Sequence, residues 1–491
     1  MKDKEDKMMP IYTFKMKNRF LILALLVFTA SFSQSKKWTL EDCVNHALEN
    51  NITIQQGELD LQQSELNKSD AIGNFIPSLN GSASHSWNIG LNQNITTGLL
   101  ESQTTQFSSL GLSSNVIIYG GLKNINQLHK SNLEILASQY KLSNMKDDIS
   151  LFVANSFLQI LFNKEQLKIQ KAQFEVAKQD LNRAIELIDA GVIPEGDALE
   201  LKATLASQEQ QIVNIENSIL LSKISLAQTL LIDDYQNFDI VDVQYDVPLT
   251  DILNESPKRI IEKAKETRYD IKIAETNIEL AEYDLKLAKG SFQPTLSGFY
   301  GYNTRASYSD RVIGVNRVPD GTNTTIGFVE NTGETVVTPN FTSTPIIGGP
   351  DSVFDQFSLN DGHSFGFNLR VPIFNGFSVK NNVKRSRINL QRSKIQLAQA
   401  SLDLETKVYQ ALNDAKGALK AYEAALKTME SRQQAFDYSK ERYNIGLLNS
   451  FDYSQSQARY EQAQSEVIRT KYDYIFKLKV LEFYFGIPIM N

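Results

Sequence analysis

Between residues 122 and 190 the sequence contains no glycine and no proline, a run of 69 residues. A second such desert covers 378–445, interrupted only by Gly417. Ordinary globular helices of three to four turns need punctuation far more often, so compact helical packing is excluded for these stretches. Cysteine is nearly absent: Cys43 stands alone, so no disulfide can form within the chain and a thiolate zinc site has no ligands. Histidine is scarce too, and His46, His85, His129 and His363 fall in unlike segments, as surface or packing residues do. Positive charge is not in excess, since the formal net charge is −7, which argues against a nucleic-acid partner. Beyond the N-terminus no apolar run reaches the roughly 18 residues of a membrane-spanning helix. Phosphate-loop, dinucleotide, zinc-protease and serine-hydrolase signatures are all missing. These absences leave no candidate catalytic residue, no metal site and no cofactor to expect.

What is present begins with an address. Lys15, Lys17 and Arg19 precede the apolar run Phe20–Ala30, followed by Ser31, Phe32 and Ser33. This order predicts a secretory signal over 1–33. Its removal, with six basic and three acidic residues, takes the formal charge from −7 to −10.

The remaining chain is written twice. GNFIPSLNGSAS from Gly73 and GSFQPTLSGFYG from Gly290 align at an offset of 217, as do Ala47 with Ala264 and Ile54 with Ile271. Farther on, VIIYGG (Val116–Gly121) aligns with VPIFNG (Val371–Gly376) at an offset of 255, and so do Gly191 with Gly446 and Asp197 with Asp452. The second copy therefore carries 38 extra residues within 303–363, whose Asn, Thr, Ser, Gly and Asp content predicts a long surface loop.

The expected halves are 34–250 and 251–491. Each holds an opening helix (39–72; 258–289) and a strand pair (77–87 with 110–119; 294–302 with 364–374). A very long helix (122–190; 378–445) and a return helix (197–231; 452–485) complete it. A further short strand is expected within 237–247, where Val241, Val243, Tyr245 and Val247 alternate with polar residues. In the long helix, Ile149, Phe152, Val153, Phe157, Ile160 and Leu161 follow the spacing of one apolar face. At about 1.5 Å per residue it would run roughly 100 Å, so it must lie beside similar helices.

The strands alternate strictly. Phe365, Phe367, Leu369, Val371 and Ile373 share one face, with Gly366, Asn368, Arg370 and Pro372 on the other. Leu110, Leu112, Val116 and Ile118 do the same, apart from Ser114. The pattern fits a half-buried soluble sheet or a lipid-facing barrel strand, and the signal and the aromatics near strand ends favour the barrel. Four strands cannot close a barrel, which needs about eight or more, so the chain must oligomerise. Three copies give twelve strands and an open lumen, whereas two leave it too narrow.

These features resemble the TolC-type outer-membrane efflux family across 38–488. The features that carry the likeness are WTLEDCVNHALENN, the pair AIGNFIPSLNG and AKGSFQPTLSG, the turns IYGG (Gly120, Gly121) and IFNG (Gly376), and the tips AGVIPEGDAL and NIGLLNSFDYSQ. The resemblance implies a mainly α chain with membrane β-structure. It implies a homotrimer whose twelve-stranded barrel in the outer membrane continues into a long periplasmic helical barrel. It also implies a mixed belt near 237–247, and partnership with a periplasmic adaptor and an inner-membrane transporter. The function implied is an exit duct for exported substrates. Protein secretion through the same duct and a non-transport coiled-coil scaffold remain as alternatives.

Two tips close the long helices, one at Gly191, Pro194 and Gly196 and one at Gly446. Each places an aspartate six residues after its glycine, Asp197 and Asp452. Both fit either a ring of carboxylates at a pore constriction or the N-cap of the return helix. By resemblance, Asp452 matches a selectivity-ring aspartate and Tyr443 a retained tyrosine. Gln455 stands where the family has a second acid and Leu448 where it has an arginine. The expected result is a thinner acidic ring, with closure resting on Leu447, Leu448 and Phe451. The Pro194 turn is expected to be the stiffer of the two.

Overall fold

The computed structural model describes residues 37–93, 98–243, 245–248 and 250–487. The expected signal, and Asn94-Ile95-Thr96 of a fortuitous glycosylation match, lie outside these residues. The chain forms two compact units, and each takes its residues from both sequence repeats. Unit 1 is built from residues up to Gln63, Ile135–Ile278 and from Ser393 onward; unit 2 from Ser64–Glu134 and Glu279–Arg392.

The opening helix of each copy is two helices, not one: α1 (Leu40–Asn50) and α2 (Ile52–Gly73) in the first copy. In chain order follow the long α3 (Lys123–Asp189) and its return helix α4 (Glu195–Thr229), then α5 (Pro257–Thr267) and α6 (Tyr269–Gly290), the second opening pair. The breaks fall at Asn51 and Arg268, again 217 apart. Thr39 caps α1 in a reciprocal box with Asp42, and Ser256, its equivalent, caps α5 through the Arg259 amide. At the breaks the side chains bind the neighbouring frame. Asn51 donates to the Thr229 carbonyl at 3.0 Å, and the Arg268 guanidinium stacks 4.1 Å from the Phe483 ring.

In unit 1 two apolar clusters hold the helices. One packs Val153, Phe157, Ile160 and Leu161 of α3 on Cys43, Leu226 and Leu230. The other joins Ile260, Leu404, Val408, Tyr474, Leu478 and Leu481. Each fully buried aliphatic among them is worth about 2–3 kcal/mol over exposure. Phe152, expected on the same face, is 47% exposed, because the packed stripe runs through 153, 157 and 160 and leaves 152 on the flank. The expected strand within 237–247 shrinks to β4 (Asp239–Ile240), which pairs in parallel with β1 (Lys37–Trp38). Asp239 anchors it through ion pairs with Lys164 at 2.8 Å and Lys223 at 3.1 Å. Farther along, Val243 is exposed, and among the described residues no partner strand extends the alternation.

Unit 2 holds a four-stranded antiparallel sheet, β2 (Ser78–Gln93), β3 (Leu100–Tyr119), β5 (Thr295–Ser307) and β8 (Gly362–Arg370), in the order β2-β3-β5-β8. The first two strands are longer than the alternation suggested. The expected loop at 303–363 is largely not a loop. β5 runs on to Ser307, β6 (Arg311–Phe328) and β7 (Thr335–Gly348) form a separate hairpin, and α7 (Val353–Leu359) precedes β8. Its threonines and valines are good strand formers, and its Asn and Gly supply turns and bulges, so composition alone misdirected the reading. The long α8 (Ser378–Asn444) and its return helix α9 (Ser450–Phe485) complete the chain.

The duplication extends to the backbone. Gly121 and Leu122 have φ of +68° and +61°, and Gly376 and Phe377, 255 later, have +59° and +62°. Leu231 (+55°) ends α4 as Gly486 (+87°) ends α9, again 255 apart. Gly121 is fixed by contact as well as by dihedral, since a Cβ there would meet the Gly290 carbonyl oxygen at 2.3 Å.

Candidate functional site: a two-faced sheet and a paired tip

Directly opposed residues of an antiparallel pair share a face, so the register sorts the sheet. One row links Leu112, Tyr302 and His363; the next links Ser114, Tyr300 and Phe365; the next Val116, Gly298 and Phe367; and Leu296 opposes Leu369. On β2 the same face carries Leu79, Ala83, Trp87, Ile89 and Leu91. The other face is mainly polar, with Asn80, Ser82, Ser84, Ser86 and Asn88 on β2, Ser113 and Asn115 on β3, and Ser364, Asn368 and Arg370 on β8, and with Phe107, Ile117 and Phe299 as its apolar exceptions. Apart from Thr304 and Ala306 at the far end of β5, the apolar face is largely uncovered in the single chain: Leu79 is 74% exposed and Phe365 81%. A soluble half-buried sheet would hide that face, so the alternation is that of a sheet with lipid on one side and water on the other. Trp87, Tyr300 and Tyr302 lie on the apolar face, where interfacial aromatics sit. β2 and β8 are the outer strands, each with one unpaired edge. Among the described residues no helix is long and apolar enough to cross a membrane.

At the tips of unit 1 the two turns share one geometry. The Gly191 and Val192 amides donate to the carbonyls of Ile188 (2.8 Å) and Leu187 (2.9 Å). Those of Gly446 and Leu447 donate to Tyr443 (3.0 Å) and Arg442 (2.9 Å). Both glycines have left-handed φ, +71° and +76°, so each ends its helix with the same pair of capping bonds. The turns differ after the glycine. Pro194 caps α4 with no side-chain bond, whereas the Asn449 side chain accepts from the Asp452 amide at 2.8 Å.

The expected N-caps are thus corrected: Asp197 and Asp452 each sit three residues past the cap. Asp452 is exposed and accepts from the Asn449 side-chain amide at 3.0 Å. Asp197 is half-buried and accepts from the Ser450 hydroxyl at 2.7 Å, a bond that ties the first tip to the second. Gln455 is exposed beside Asp452. Leu448 packs with Ala184, Leu201, Phe436 and Tyr453, while Leu447 (65% exposed) and Phe451 (59%) do not. Gly196 stands exposed in the first turn of α4. Gly120, Gly121 and Gly376 belong to unit 2, at the strand-to-helix turns.

Tyr443 lies flat on Tyr453, with ring centroids 4.5 Å apart, and Phe436 stacks on Tyr460 at 5.6 Å. Tyr453 is fully buried and its hydroxyl donates to the Asp180 carboxylate at 2.8 Å. Burial drives the Asp180 carboxyl above its ordinary range despite that bond and despite Lys440 and Arg183 nearby. Burial also raises the Tyr443 phenol, helped by Asp197 and Asp180. Farther along α9, Glu461 accepts from Gln208 at 2.9 Å and is pushed up by burial in turn. Sequence reasoning missed Asp180, Tyr453, Phe436 and Glu461. The available signal was a stripe on α3, Gln170, Gln173, Ala177, Asp180 and Ala184, with core spacing but polar and small residues.

Among the described residues no group of histidine, cysteine and acidic side chains could hold a metal. What the arrangement offers is a lipid-facing wall, a water-facing wall and a polar, aromatic-braced tip.

Known proteins share this fold. The fold matches the outer membrane protein VceC of Vibrio cholerae with a TM-score of 0.70 at 15% identity, over 92% of this chain and 96% of that one. It matches the CmeC outer membrane channel of Campylobacter jejuni with a TM-score of 0.72 at 18% identity, over 91% and 85%. In sequence it is 22% identical over 367 residues to the pyoverdine export outer membrane protein OpmQ of Pseudomonas aeruginosa, an alignment covering 74% of this chain and 66% of that relative, just under two thirds of it. The profile described as outer membrane efflux protein matches residues 43–230 and 260–486, one segment for each half of the duplication. With most of its length matched in this way, the chain belongs to the outer membrane efflux protein family.

Proposed function

We propose that three copies of this chain form an outer-membrane exit duct that passes substrates exported by an inner-membrane transporter through a periplasmic adaptor. The observation that carries this reading is the two-faced sheet with free edges at β2 and β8. Unpaired backbone groups are too costly in lipid, each worth several kcal/mol, so the sheet must close through β2 of one copy and β8 of the next. Three copies supply twelve strands with the Asn80–Asn88 face turned to water. In this reading residues 1–33 are the export signal, and 34–250 and 251–491 are the two repeats.

At the far end of the helices the constriction is lined by the exposed residues. Asp452, Gln455, Leu447 and Phe451 face the axis, while Tyr443 and Leu448 hold the tip together from within. Asp197 contributes less, because it is half-buried and engaged by Ser450. No residue in this arrangement performs a reaction; the substrate is passed, not changed. Small-molecule efflux is favoured, as in the pyoverdine exporter to which the chain is similar.

The test is to purify the full chain in detergent and insert it in a planar bilayer. A heat-modifiable trimer with unitary conductance is expected. A monomer or dimer without conductance sinks the duct and leaves the coiled-coil scaffold. Native co-purification with a small-molecule pump, rather than a protein-secretion transporter, is the expected partner outcome.

A further inference from the structure

The insertion that distinguishes the second repeat places α7 on the apolar face of the sheet. Thr304 and Ala306 occupy that face of β5, opposite Leu110 and Ser108, and both are buried, at 4% and 0% exposure. α7 covers them. The Thr304 hydroxyl donates to the Phe357 carbonyl at 2.8 Å, and Gln356 bonds both the amide and the carbonyl of Ser307, at 2.8 and 2.9 Å. Asn360 donates to the Arg305 carbonyl at 2.8 Å. The helix is therefore fixed to the strand by side-chain-to-backbone hydrogen bonds rather than resting on it as a loop.

Its height on the sheet is informative. From Leu296 to Thr304 the apolar face of β5 climbs about 27 Å at 3.4 Å per residue, and roughly 20 Å along a barrel axis at a tilt of about 40°. A lipid-facing band is about 25 Å tall, so α7 sits where that band ends, on the side opposite the strand-to-helix turns. Around the helix, Val353, Gln356 and Phe357 face the sheet. Phe354 and Leu359 lie about 140° apart at 100° per residue, on its two flanks, and are 84% and 74% exposed. Asp355 and Ser358 face outward. Two large apolar side chains held this bare, on a helix that leads into the strand carrying the uncovered Phe365 and Phe367, need an apolar solvent.

We propose that α7 is an interfacial anchor that seats Phe354 and Leu359 in the outer leaflet, at the boundary between acyl chains and headgroups, and fixes the depth of the barrel in the membrane. The inference rests on the outer-membrane reading above and adds a lipid-binding element to it. A short helix with apolar flanks and a polar outward face suits that boundary, where a few buried apolar groups give a shallow, position-setting contact rather than an insertion.

Spin labelling separates this inference from the reading beneath it. In a Cys43→Ala background, labels are attached at Phe354→Cys, at Leu359→Cys and at Phe367→Cys in the middle of the apolar band, in trimers reconstituted into phospholipid vesicles. Collisions with dissolved oxygen are compared with those of a polar nickel chelate. Oxygen exceeding nickel at 354 and 359, by a smaller margin than at 367, is the expected result. Nickel exceeding oxygen at 354 and 359 puts α7 in water and overturns the anchor. Labels shielded from both reagents put α7 against a neighbouring copy and overturn it equally. Failure at 367 removes the lipid-facing sheet itself, a distinguishable outcome.

Discussion

Removing one hydroxyl from the tip tests the account of how it is held. Tyr453→Phe keeps the ring stacked between Tyr443 and Phe436 but deletes the donor to Asp180. A hydrogen bond to a charged acceptor is worth about 1.5–3 kcal/mol, and because Asp180 is only half-buried the lower part applies, about 1.5–2 kcal/mol. At 1.36 kcal/mol per decade this is roughly a 10–30-fold rise in the opening constant of the tip. Ala184, 1% exposed in the same cluster, provides the reporter: Ala184→Cys in a Cys43→Ala chain reacts with a thiol reagent only when the tip opens. The pH dependence follows from the charge. Asp180 has a raised pKa in the packed tip, so packing favours its protonated form. A raised carboxylate penalises the packed state above its native pKa, and the penalty fades as pH falls through that value toward the ordinary 3.8. Loss of the tyrosine donor raises it further. Labelling relative to the parent at the same pH should therefore be fastest near neutrality and should converge as the medium is acidified. The neighbours facing this group, Lys440, Arg183, Tyr443 and Glu461, are present in both chains and cancel in the ratio. Equal labelling of both chains at neutral pH, or a ratio that does not change with pH, would show that the bond does not hold the tip.

Other consequences are independent of that bond. Asp452→Ala should lower cation selectivity and divalent block in single-channel recordings, and Asp197→Ala should do so less, because its carboxylate is already engaged. Gly121→Ala should cost more than about 3 kcal/mol and abolish trimer recovery, because a Cβ meets the Gly290 backbone on top of the left-handed φ, whereas Gly376→Ala should cost about 1–2 kcal/mol from the dihedral alone, read as the midpoint of heat modification. Leu231→Gly should leave that midpoint unchanged or raise it by relieving up to about 1 kcal/mol of backbone strain, since Leu231 occupies the left-handed position that glycine fills in the second copy.

Much of the fold was legible because duplication and breaker spacing are backbone signals. Caps at Thr39 and Ser256 and left-handed turns at Gly121, Gly191, Gly376 and Gly446 recur at the two offsets that the sequence displays. The strand faces were legible because period two is unambiguous once the register is known. The insertion was not, because a Thr- and Asn-rich segment reads as a loop until its pairing is seen. The tip chemistry was hidden by the same duplication that revealed the fold. Tyr443, Tyr453 and Phe436 have Ile188, Ala198 and Leu181 as their equivalents in the first copy, so aligning the repeats discounts them as variation. They matter because the second copy's aromatics close on the first copy's acids, a pairing that no comparison of one copy with the other contains.

Return helix α9 has two zones. From Tyr474 onward its buried positions are apolar or aromatic: Tyr474, Leu478 and Leu481 pack with Leu404, Val408 and Leu412, Ile475 joins the cluster of Val153 and Phe157, and Phe483 is buried too. From Ser450 to Gln464 the packed side is Ser450, Tyr453, Ser454, Gln457 and Glu461. Five of the eight buried side-chain polar atoms without a hydrogen-bond partner among the described residues lie around that segment, on Gln208, Tyr443, Ser454 and both ends of the Gln457 amide. Gln457 is one turn from Glu461 and favours its charged form without meeting it at hydrogen-bond geometry. Each such atom costs about 1–3 kcal/mol when sealed from water, so the packed tip forfeits stability that the apolar half keeps. A segment balanced in this way opens at low cost and regains its hydrogen bonds on hydration, while the apolar half holds the rest of α9 in place. The residues that brace the tip are therefore less favourably buried than the apolar positions of α9 from Tyr474 onward.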